Sequence, residues 1–314
     1  MKVHLKFICC FFAIMSIIGC SSQDNKKSDD NKAPAETKLK DFERPVPPPL
    51  LTTAKDVAEY ILVHYWDKFD FRDTMYCHAP EITEQAFVNF FNLFQYASKE
   101  KIGVAVNKLL DSAQVDVVMY NYFYRKGEDY LYNPNSPSRS DEYFIPFLEH
   151  LVFSSRVVEQ DKVRSRYQLN LAYKNRLGEK ASDFIYTLNS GATGNLYGIS
   201  SKYTLLMFYN PDCKECQMTT AELKRSTVIS EAVSSGKLKV LAVYLDEDIE
   251  IWKKHINDIP ASWINGYDKT LTVRNNEIYD PKAIPTLYLL DKEKIVLLKD
   301  AIIGEIQTYL EKNQ

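Results

Sequence analysis

The sequence has almost no net charge, few cysteines, and an N-terminal apolar run that is too short to cross a bilayer. Its 39 lysines and arginines nearly balance 42 aspartates and glutamates, giving a formal net charge of −3 at pH 7, so no basic surface for nucleic acid is indicated. The six cysteines include one closely spaced pair in the body of the chain, whereas structural zinc sites commonly use two. The whole sequence is 45% hydrophobic and 26% charged, which is typical of a globular protein. Its length favours two domains.

The first 19 residues have the features of a secretory signal peptide. Lys2 and Lys6 form a basic start, and the apolar run from Phe7 to Ile18 is shorter than the roughly 20 residues of a spanning helix. The run ends in Ile17-Ile18-Gly19-Cys20, which resembles the bacterial lipobox. This resemblance implies lipidation of Cys20 as the first residue of the mature chain. The alternative is an ordinary cleaved signal in which Cys20 has no such role.

A lipidated Cys20 would anchor the protein through its acyl chains, and the chain would fold outside the cytoplasm. Ser21 follows the cysteine where, by resemblance to enteric lipoproteins, an Asp would signal retention in the inner membrane. We therefore expect a lipid-anchored protein that faces the periplasm or the cell surface, with the outer membrane favoured. Residues 20–50 are predicted to be a disordered tether, because SSQDNKKSDDNK contains no apolar residue and five prolines follow it.

Residues 51–178 show the apolar spacing of helices and are predicted to form an all-α domain. Thr53 to Asp56 has the form of a capping box that begins a helix. In later stretches, apolar residues recur at intervals of three and four, as in Phe87, Phe90, Phe91 and Phe94, and in Phe144, Phe147, Leu148, Leu151 and Val152. Such helices, separated by turn signals such as Asn133-Pro134-Asn135, indicate a bundle.

This half also contains a tyrosine cluster between residues 120 and 132 and two histidines in apolar surroundings, His64 and His150. Aromatic residues at helical spacing usually form core, with their hydroxyls at its rim; a carbohydrate or peptide groove is the alternative. We expect each histidine to be packed and hydrogen-bonded rather than a metal ligand. We expect Cys77 to be a buried, unreactive thiol, with pairing to a partner as the alternative.

Three runs of this half, YILVHYWDKFDF, PEITEQAFVNF and YLYNPNSPSR, resemble the signature runs of a helical domain of unknown function. That domain precedes thioredoxin-like modules in lipoproteins of Gram-negative anaerobes. The resemblance covers roughly residues 50–175. It implies an architecture but no activity.

Residues 182–314 change to strands that alternate with helices. Apolar runs at 184–188 and 194–197 flank Asn189-Ser190-Gly191 and predict a hairpin. Further strands are predicted at 203–209, 238–245, 287–290 and 295–298, and helices around 214–225, 247–257 and 302–311. This alternation indicates an α/β sheet.

The stretch FYNPDCKECQ places Cys213 and Cys216 at the start of a predicted helix, separated by two residues. The pair could hold a metal, form a structural disulfide or exchange disulfides. A zinc site would need ligands such as Cys77 and His78 from the helical half, and a disulfide that closes so small a loop restricts the unfolded chain little. A reactive dithiol is therefore favoured.

The position of the pair on the helix predicts different roles for its two thiols. The free amides and the dipole of a helix N-terminus stabilise a thiolate, so we expect Cys213 to be the nucleophile. Cys216 lies one turn further into the helix. It is expected to stay buried and protonated until it resolves a mixed disulfide.

FYNPDCKEC with its following helix, and the segment KAIPTLYLL at 282–290, resemble the active-site turn and the Ile-Pro-Thr segment of the thioredoxin fold. The resemblance covers roughly residues 182–314. The hairpin is similar to the extra N-terminal element of membrane-anchored TlpA-like and ResA-like oxidoreductases. The resemblance implies that Pro285 is a cis proline facing the cysteines and that the backbone of Ile284 pairs with substrate.

Three positions depart from the resemblance. Asp212 stands where many thioredoxins have tryptophan, Met207 where they keep a buried acid, and Thr219 where ResA-like proteins have glutamate. No obvious buried carboxylate therefore remains to manage the Cys216 proton. Three nearby acids could substitute, although they are more typical of solvated surface charge: Glu215, Asp246 and Glu247.

Together these features predict a membrane-anchored thiol–disulfide oxidoreductase outside the cytoplasm, with reduction of protein disulfides favoured over oxidation. Cys213 and Cys216 would be catalytic, Ile284 and Pro285 would bind substrate, and no diffusible cofactor is expected. The partners would be protein disulfide or dithiol substrates and a membrane redox partner. A peroxiredoxin is disfavoured because PDCKEC lacks its threonine. The alternative function is a non-catalytic binding or scaffold lipoprotein whose helical domain recognises a protein or glycan.

Overall fold

The computed structural model describes residues 39–313, and the residues from Lys40 onward form one compact unit. The predicted signal peptide (residues 1–19), the predicted lipidation site Cys20 and the predicted tether up to residue 38 lie outside the described residues. Within the described part, no helix combines the length and the apolar character that a membrane crossing requires.

The described residues up to 175 form a helical part of six α-helices joined by turns. The first begins where predicted, because Thr53 Oγ1 accepts a hydrogen bond from the Asp56 amide at 3.0 Å and donates one to the Asp56 carboxylate at 2.7 Å, which satisfies an amide that the helix leaves free. The helices are α1 (Ala54–His64), α2 (Thr83–Phe91), α3 (Lys99–Ala113), α4 (Val117–Gly127), α5 (Asp141–Phe153) and α6 (Glu159–Ala172).

Aromatic side chains fill the interior of this helical part. The predicted core residues Phe87, Phe90 and Phe94 are almost completely buried. Trp66 packs edge-on against Phe123, with ring centroids 4.9 Å apart, which is a favoured geometry for aromatic pairs. The spacing of the phenylalanines therefore predicts the buried face of these helices correctly.

The two histidines that the sequence analysis expected to be hydrogen-bonded, His64 and His150, are so. His150 lies between the hydroxyl of Tyr120, at 3.3 Å, and the carboxylate of Asp111, at 3.1 Å. His64 Nδ1 lies 2.8 Å from a carboxylate oxygen of Asp67. Among the residues that the structure describes, no group of three or more His, Cys, Asp or Glu side chains could hold a metal ion.

The last part of the predicted tether contacts the helical part. Phe42 stacks on Tyr65, with ring centroids 5.0 Å apart, and meets Trp66 edge-on at 5.2 Å. The amide of Lys40 donates a hydrogen bond to the hydroxyl of Tyr76 at 3.2 Å. Because Phe42 packs against the rings of Tyr65 and Trp66, the folded body begins nearer to Lys40 than to residue 50.

The described residues after 184 form one mixed sheet of seven strands, in the order β2-β1-β5-β4-β3-β6-β7. β3, β4 and β5 run parallel, and all other neighbours are antiparallel. The strands are β1 (Ile185–Leu188), β2 (Thr193–Asn195), β3 (Tyr203–Tyr209), β4 (Leu238–Tyr244), β5 (Ile264–Tyr267), β6 (Thr286–Asp291) and β7 (Val296–Lys299).

Five further α-helices in this described part complete the fold, and core clusters cover both faces of the sheet. Leu205 and Met207 of β3 belong to one cluster, and Leu206 and Phe208 to the other, because neighbouring side chains of a strand point to opposite faces. The predicted fold class is confirmed: a thioredoxin-like α/β fold with an N-terminal hairpin, preceded by a helical region. The helices are α7 (Lys214–Arg225), α8 (Thr227–Ser234), α9 (Ile249–Lys254), α10 (Thr272–Asn275) and α11 (Ile303–Lys312).

Three elements of this part, β5, α8 and α10, are absent from the sequence prediction. β5 is short and contains Gly266, where a Cβ would lie 3.0 Å from the Tyr186 ring; it is a strand because β4 and β1 pair with it on both sides. α9 is shorter than the predicted helix 247–257, because the backbone turns out of helical geometry at His255.

The strand directions bring three loops to one edge of the sheet. β6 is antiparallel to both β3 and β7, with Phe208 opposite Thr286 and Tyr288 opposite Lys299. The end of β3, the start of β6 and the end of β7 therefore lie together. We call this the active-site edge.

Candidate active site

Cys213 occupies the N-cap position of α7, at the active-site edge. Its Sγ accepts a hydrogen bond from the amide of Cys216 at 3.3 Å, which is one of the amides that a helix N-terminus leaves free. Its thiol also lies 3.6 Å from the carbonyl oxygen of Ile284. Cys213 is half-buried, whereas Cys216 is only 1% exposed.

The turn before α7 explains why the helix starts at this point. The amide of Cys213 donates to the carbonyl of Asn210 at 3.1 Å, and the amide of Asp212 donates to the Asn210 side chain at 2.9 Å. The side-chain amide of Gln217 donates to the carbonyl of Pro211 at 2.7 Å. These bonds close the loop and fix Cys213 at the N-cap position of α7.

The surroundings of Cys216 keep its thiol neutral. Burial is the largest cause that raises the pKa of Cys216 well above its usual value, and the nearby Cys213 and Glu215 add to the effect, while a backbone hydrogen bond with Asn210 opposes it. The expected asymmetry is present: one accessible sulfur at the helix start, and one buried, protonated sulfur a turn below it.

Ile284 and Pro285 lie opposite the cysteines, directly before β6. The Ile284-Pro285 peptide bond is cis, as the resemblance implies. Both residues are half-buried, and Ile284 and Cys213 pack against the same core cluster. The structure therefore brings together all four residues that the sequence analysis assigned to catalysis and substrate binding.

The predicted gap in the proton chemistry is present as well. Met207 is completely buried in β3, at the position where the resemblance expects an acid. Glu215 and Glu247 are exposed, and Asp246 accepts a hydrogen bond from the side chain of Asn210 at 2.7 Å. These three acids therefore have the surface character that the sequence predicted.

A cavity of about 390 Å³ lies beside Cys216, and His255 and Asp258 are among its lining residues. His255 Nδ1 lies 2.7 Å from a carboxylate oxygen of Asp258, and its Nε2 lies 3.3 Å from a carboxylate oxygen of Asp212. Sequence reasoning missed His255, because only the fold brings the end of α9 next to the cysteine turn. The one local signal was an acid three residues after the histidine.

Cys77 lies in the helical part, in a turn before α2. It is half-buried, with its Sγ 3.8 Å from the Met119 sulfur. Burial, assisted by the charge of Asp116, raises its pKa above the usual value. Cys77 is thus less buried than expected, whereas its raised pKa agrees with the expected unreactive thiol.

Two family models match the chain. A model of a domain of unknown function, DUF5106, matches residues 19–175, and a thioredoxin-like model matches residues 201–296. No curated protein matches the chain.

The chain is also similar to solved structures. A thioredoxin-like protein from Bacteroides caccae is 44% identical, with a TM-score of 0.83 and coverage of 88% of this chain and 100% of that one. The C-terminal domain of an uncharacterised protein from Bacteroides fragilis is 52% identical over 44% of this chain and 98% of that one, with a TM-score of 0.43. A domain of a possible thiol-disulfide isomerase from Cytophaga hutchinsonii is 27% identical over 45% and 95%, with a TM-score of 0.41.

Proposed function

The chain belongs to the thioredoxin-like family, with a thioredoxin-like domain that follows a DUF5106 domain, and on this basis we propose that it is a thiol–disulfide oxidoreductase. The observation that carries the proposal is the pairing of an accessible thiol with a buried one at a helix start, Cys213 above Cys216. An accessible thiol at a helix N-terminus is suited to attack, and a buried neighbour is suited to resolution.

In the reducing direction, the thiolate of Cys213 attacks one sulfur of a substrate disulfide. A mixed disulfide forms, and the other substrate sulfur leaves as a thiolate. Cys216 then loses its proton and attacks the Cys213 sulfur, so that an internal disulfide forms and the second substrate thiolate leaves. Two electrons pass from the protein to the substrate. Oxidation of a substrate dithiol is the reverse sequence.

The substrate lies along the loop before β6. The Ile284 carbonyl faces Cys213 at 3.6 Å, so an extended substrate segment that pairs with the backbone of Ile284 would bring its sulfur to the nucleophile. Such backbone pairing recognises a chain largely independently of its side chains. The substrate class that suits this loop is therefore a protein or peptide disulfide.

The proton of Cys216 leaves through the cavity beside it. His255 and Asp258 line the same cavity, and their hydrogen bond fixes the imidazole ring. With its Nδ1–H donated to Asp258, a neutral His255 accepts the proton at Nε2, directly or through water, as Cys216 attacks, and the resulting N–H then donates to the Asp212 carboxylate 3.3 Å away. This role replaces that of the buried acid whose position Met207 occupies.

The protein acts as a reductase held to a membrane. The support is the lipobox-like sequence that ends at Cys20 and the similarity of the hairpin to TlpA-like oxidoreductases. Each cycle leaves the Cys213–Cys216 pair oxidised, so a membrane redox partner must return two electrons to it. A lipid anchor at Cys20 would hold the protein outside the cytoplasm, and Ser21 in place of an Asp favours the outer membrane.

The full chain and three single variants test this function in an insulin-reduction assay with dithiothreitol. We expect Cys213→Ser to abolish the reduction, Cys216→Ser to accumulate mixed disulfides, and Cys77→Ser, the matched control, to behave as the wild type. A wild-type protein without activity, or full activity in Cys213→Ser, would contradict the proposal. A purely binding protein would keep its partner in all three variants.

A further inference from the structure

The segment that carries Ile284 and Pro285 is held by side chains of the helical part. We call residues 277–285 the docking segment; it connects α10 with β6. Each of the holding contacts crosses from the helical part to the thioredoxin-like part, which pack as one compact unit. The start of the docking segment and its end are held separately.

The start of the docking segment is held by three hydrogen bonds. The Tyr167 hydroxyl donates to the carboxylate of Glu277 at 2.8 Å, and Lys174 Nζ donates to the Glu277 carbonyl at 2.6 Å. The side-chain amide of Asn175 donates to the carbonyl of Ile278 at 2.7 Å. Two of these bonds fix backbone atoms, so they restrict the path of the segment whatever its side chains are.

Closer to the proline, a buried ion pair joins the two parts. Lys282 Nζ contacts a carboxylate oxygen of Asp141, at the start of α5, and the two side chains are only 4% and 1% exposed. The ammonium group also lies 3.2 Å from Asp280 and 4.9 Å from the centre of the Tyr132 ring. Lys282 is two residues before Ile284, so its side chain limits where the Ile284 carbonyl can lie.

The second oxygen of Asp141 holds the neighbouring strand. It lies 2.7 Å from Lys299 Nζ, which also donates to the carbonyl of Lys174 at 2.8 Å. Although burial opposes it, the charges of Lys282 and Lys299 hold the pKa of Asp141 below its usual value. One carboxylate therefore joins the docking segment and the end of β7 at the active-site edge.

We propose that Asp141 is a positioning residue for thiol–disulfide exchange, through which the helical part holds the docking segment in the conformation that receives protein substrates. This inference rests on the proposed function. A preformed backbone does not have to be ordered when the substrate binds, which lowers the entropic cost of docking. Removing one partner of a buried ion pair is strongly destabilising. Without the Asp141 carboxylate, Lys282 keeps Asp280 but must share this buried site with an unneutralised Lys299, so Lys282 would move toward solvent and take the segment with it.

The full chain with Asp141→Asn tests the proposal, and Asp161→Asn on the exposed side of α6 is the matched control. Against insulin, we expect the KM of Asp141→Asn to rise about tenfold with kcat changed less than about twofold, because the loss lies in docking rather than in chemistry. The rate with a small aromatic disulfide, and the rate at which iodoacetamide alkylates Cys213, should stay unchanged. Asp161→Asn should equal the wild type in every assay.

Two measurements keep the proposal falsifiable if Asp141→Asn folds poorly. Near-ultraviolet circular dichroism establishes whether the variant is folded. If it is not, the milder double variant Tyr167→Phe/Lys174→Met decides, with an expected rise in the insulin KM of about threefold. A folded variant with an unchanged insulin KM overturns the positioning role, as does an equal loss toward insulin and the small disulfide. A wild-type chain that reduces neither substrate overturns the proposed function itself, and this inference with it.

Discussion

The Sγ atom of Cys213 lies 3.6 Å from the carbonyl oxygen of Ile284, so the accessible thiol and the loop before β6 face each other across the active-site edge. Cys216 lies below Cys213 and is almost completely buried. A substrate that docks on the loop therefore meets one sulfur and not the other.

The two thiols should differ strongly in reactivity in the reduced, folded protein. We expect iodoacetamide to modify Cys213 more than about a hundredfold faster than Cys216. Burial excludes the reagent from Cys216, and each unit by which its pKa is raised lowers its thiolate fraction about tenfold. Mass spectrometry of peptides after timed alkylation measures the two rates. In denaturant the two rates should converge, and equal rates in the folded protein would contradict the asymmetry.

The raised pKa of Cys216 should make the reduced protein less stable at alkaline pH. The folded state retains a proton that the unfolded state loses above about pH 8.5. The contribution of the protonated Cys216 thiol to the free energy of unfolding is therefore fully present below that pH. The free energy of unfolding then falls as pH rises toward the folded pKa, by at most about 1.4 kcal/mol per pH unit.

Because buried tyrosines titrate in the same range, the comparison is between the reduced wild type and Cys216→Ala. Urea denaturation on both sides of about pH 8.5 measures the difference in the free energy of unfolding. We expect the wild type to lose more stability than the variant as pH rises. Parallel curves would show that the Cys216 thiol titrates normally.

Replacing His255 should slow resolution but not attack. We expect His255→Gln to lower the rate at which Cys216 resolves a mixed disulfide by about tenfold or more, since a positioned base commonly contributes that much to proton transfer. Stopped-flow measurement of product release reports this step, and alkylation of Cys213 reports the first. The control is His64→Gln, because the His64 ring also pairs with an acid three residues later, Asp67, but lies in the helical part. An unchanged resolution rate would exclude His255 as the proton acceptor.

Replacing two helical glycines, Gly103 and Gly127, with alanine should change the free energy of unfolding in opposite directions. At Gly127 a Cβ would lie 2.7 Å from the Phe147 ring, whereas at Gly103 it would meet nothing within 4 Å. We expect Gly127→Ala to cost about 1–3 kcal/mol through overpacking, and Gly103→Ala to add about 0.5–1 kcal/mol because alanine favours the helix. Urea denaturation of both variants measures the two changes, and a stabilised Gly127→Ala would contradict the close packing of α4 on α5.

The sequence correctly predicts helix starts and strands whose signals lie in neighbouring residues. Thr53 and Asp56 cap α1 as expected, β3 follows its apolar run from Tyr203 to Tyr209, and α7 starts at the cysteine pair. Each of these features is determined by neighbouring residues. The fold class and the four residues at the active-site edge follow from such patterns, together with the family resemblance.

Features that depend on distant partners could not be predicted in this way. β5 has no apolar signature and is a strand only because two other strands pair with it. His255 reaches the cysteine turn, and Asp141 reaches Lys282, only through the packing of separate elements. In sequence, a buried Asp or Lys cannot be distinguished from a surface charge, and most Asp and Lys residues are surface charges.

The most direct test of the central claim is a redox titration of the Cys213–Cys216 pair in the full chain against dithiothreitol or glutathione buffers, monitored by alkylation and mass. We expect a single reversible two-electron transition with a midpoint near that of thioredoxin, about −270 mV. A midpoint near about −120 mV would contradict the reducing direction. A pair that stays in one state across the whole range of buffers would contradict the oxidoreductase function altogether.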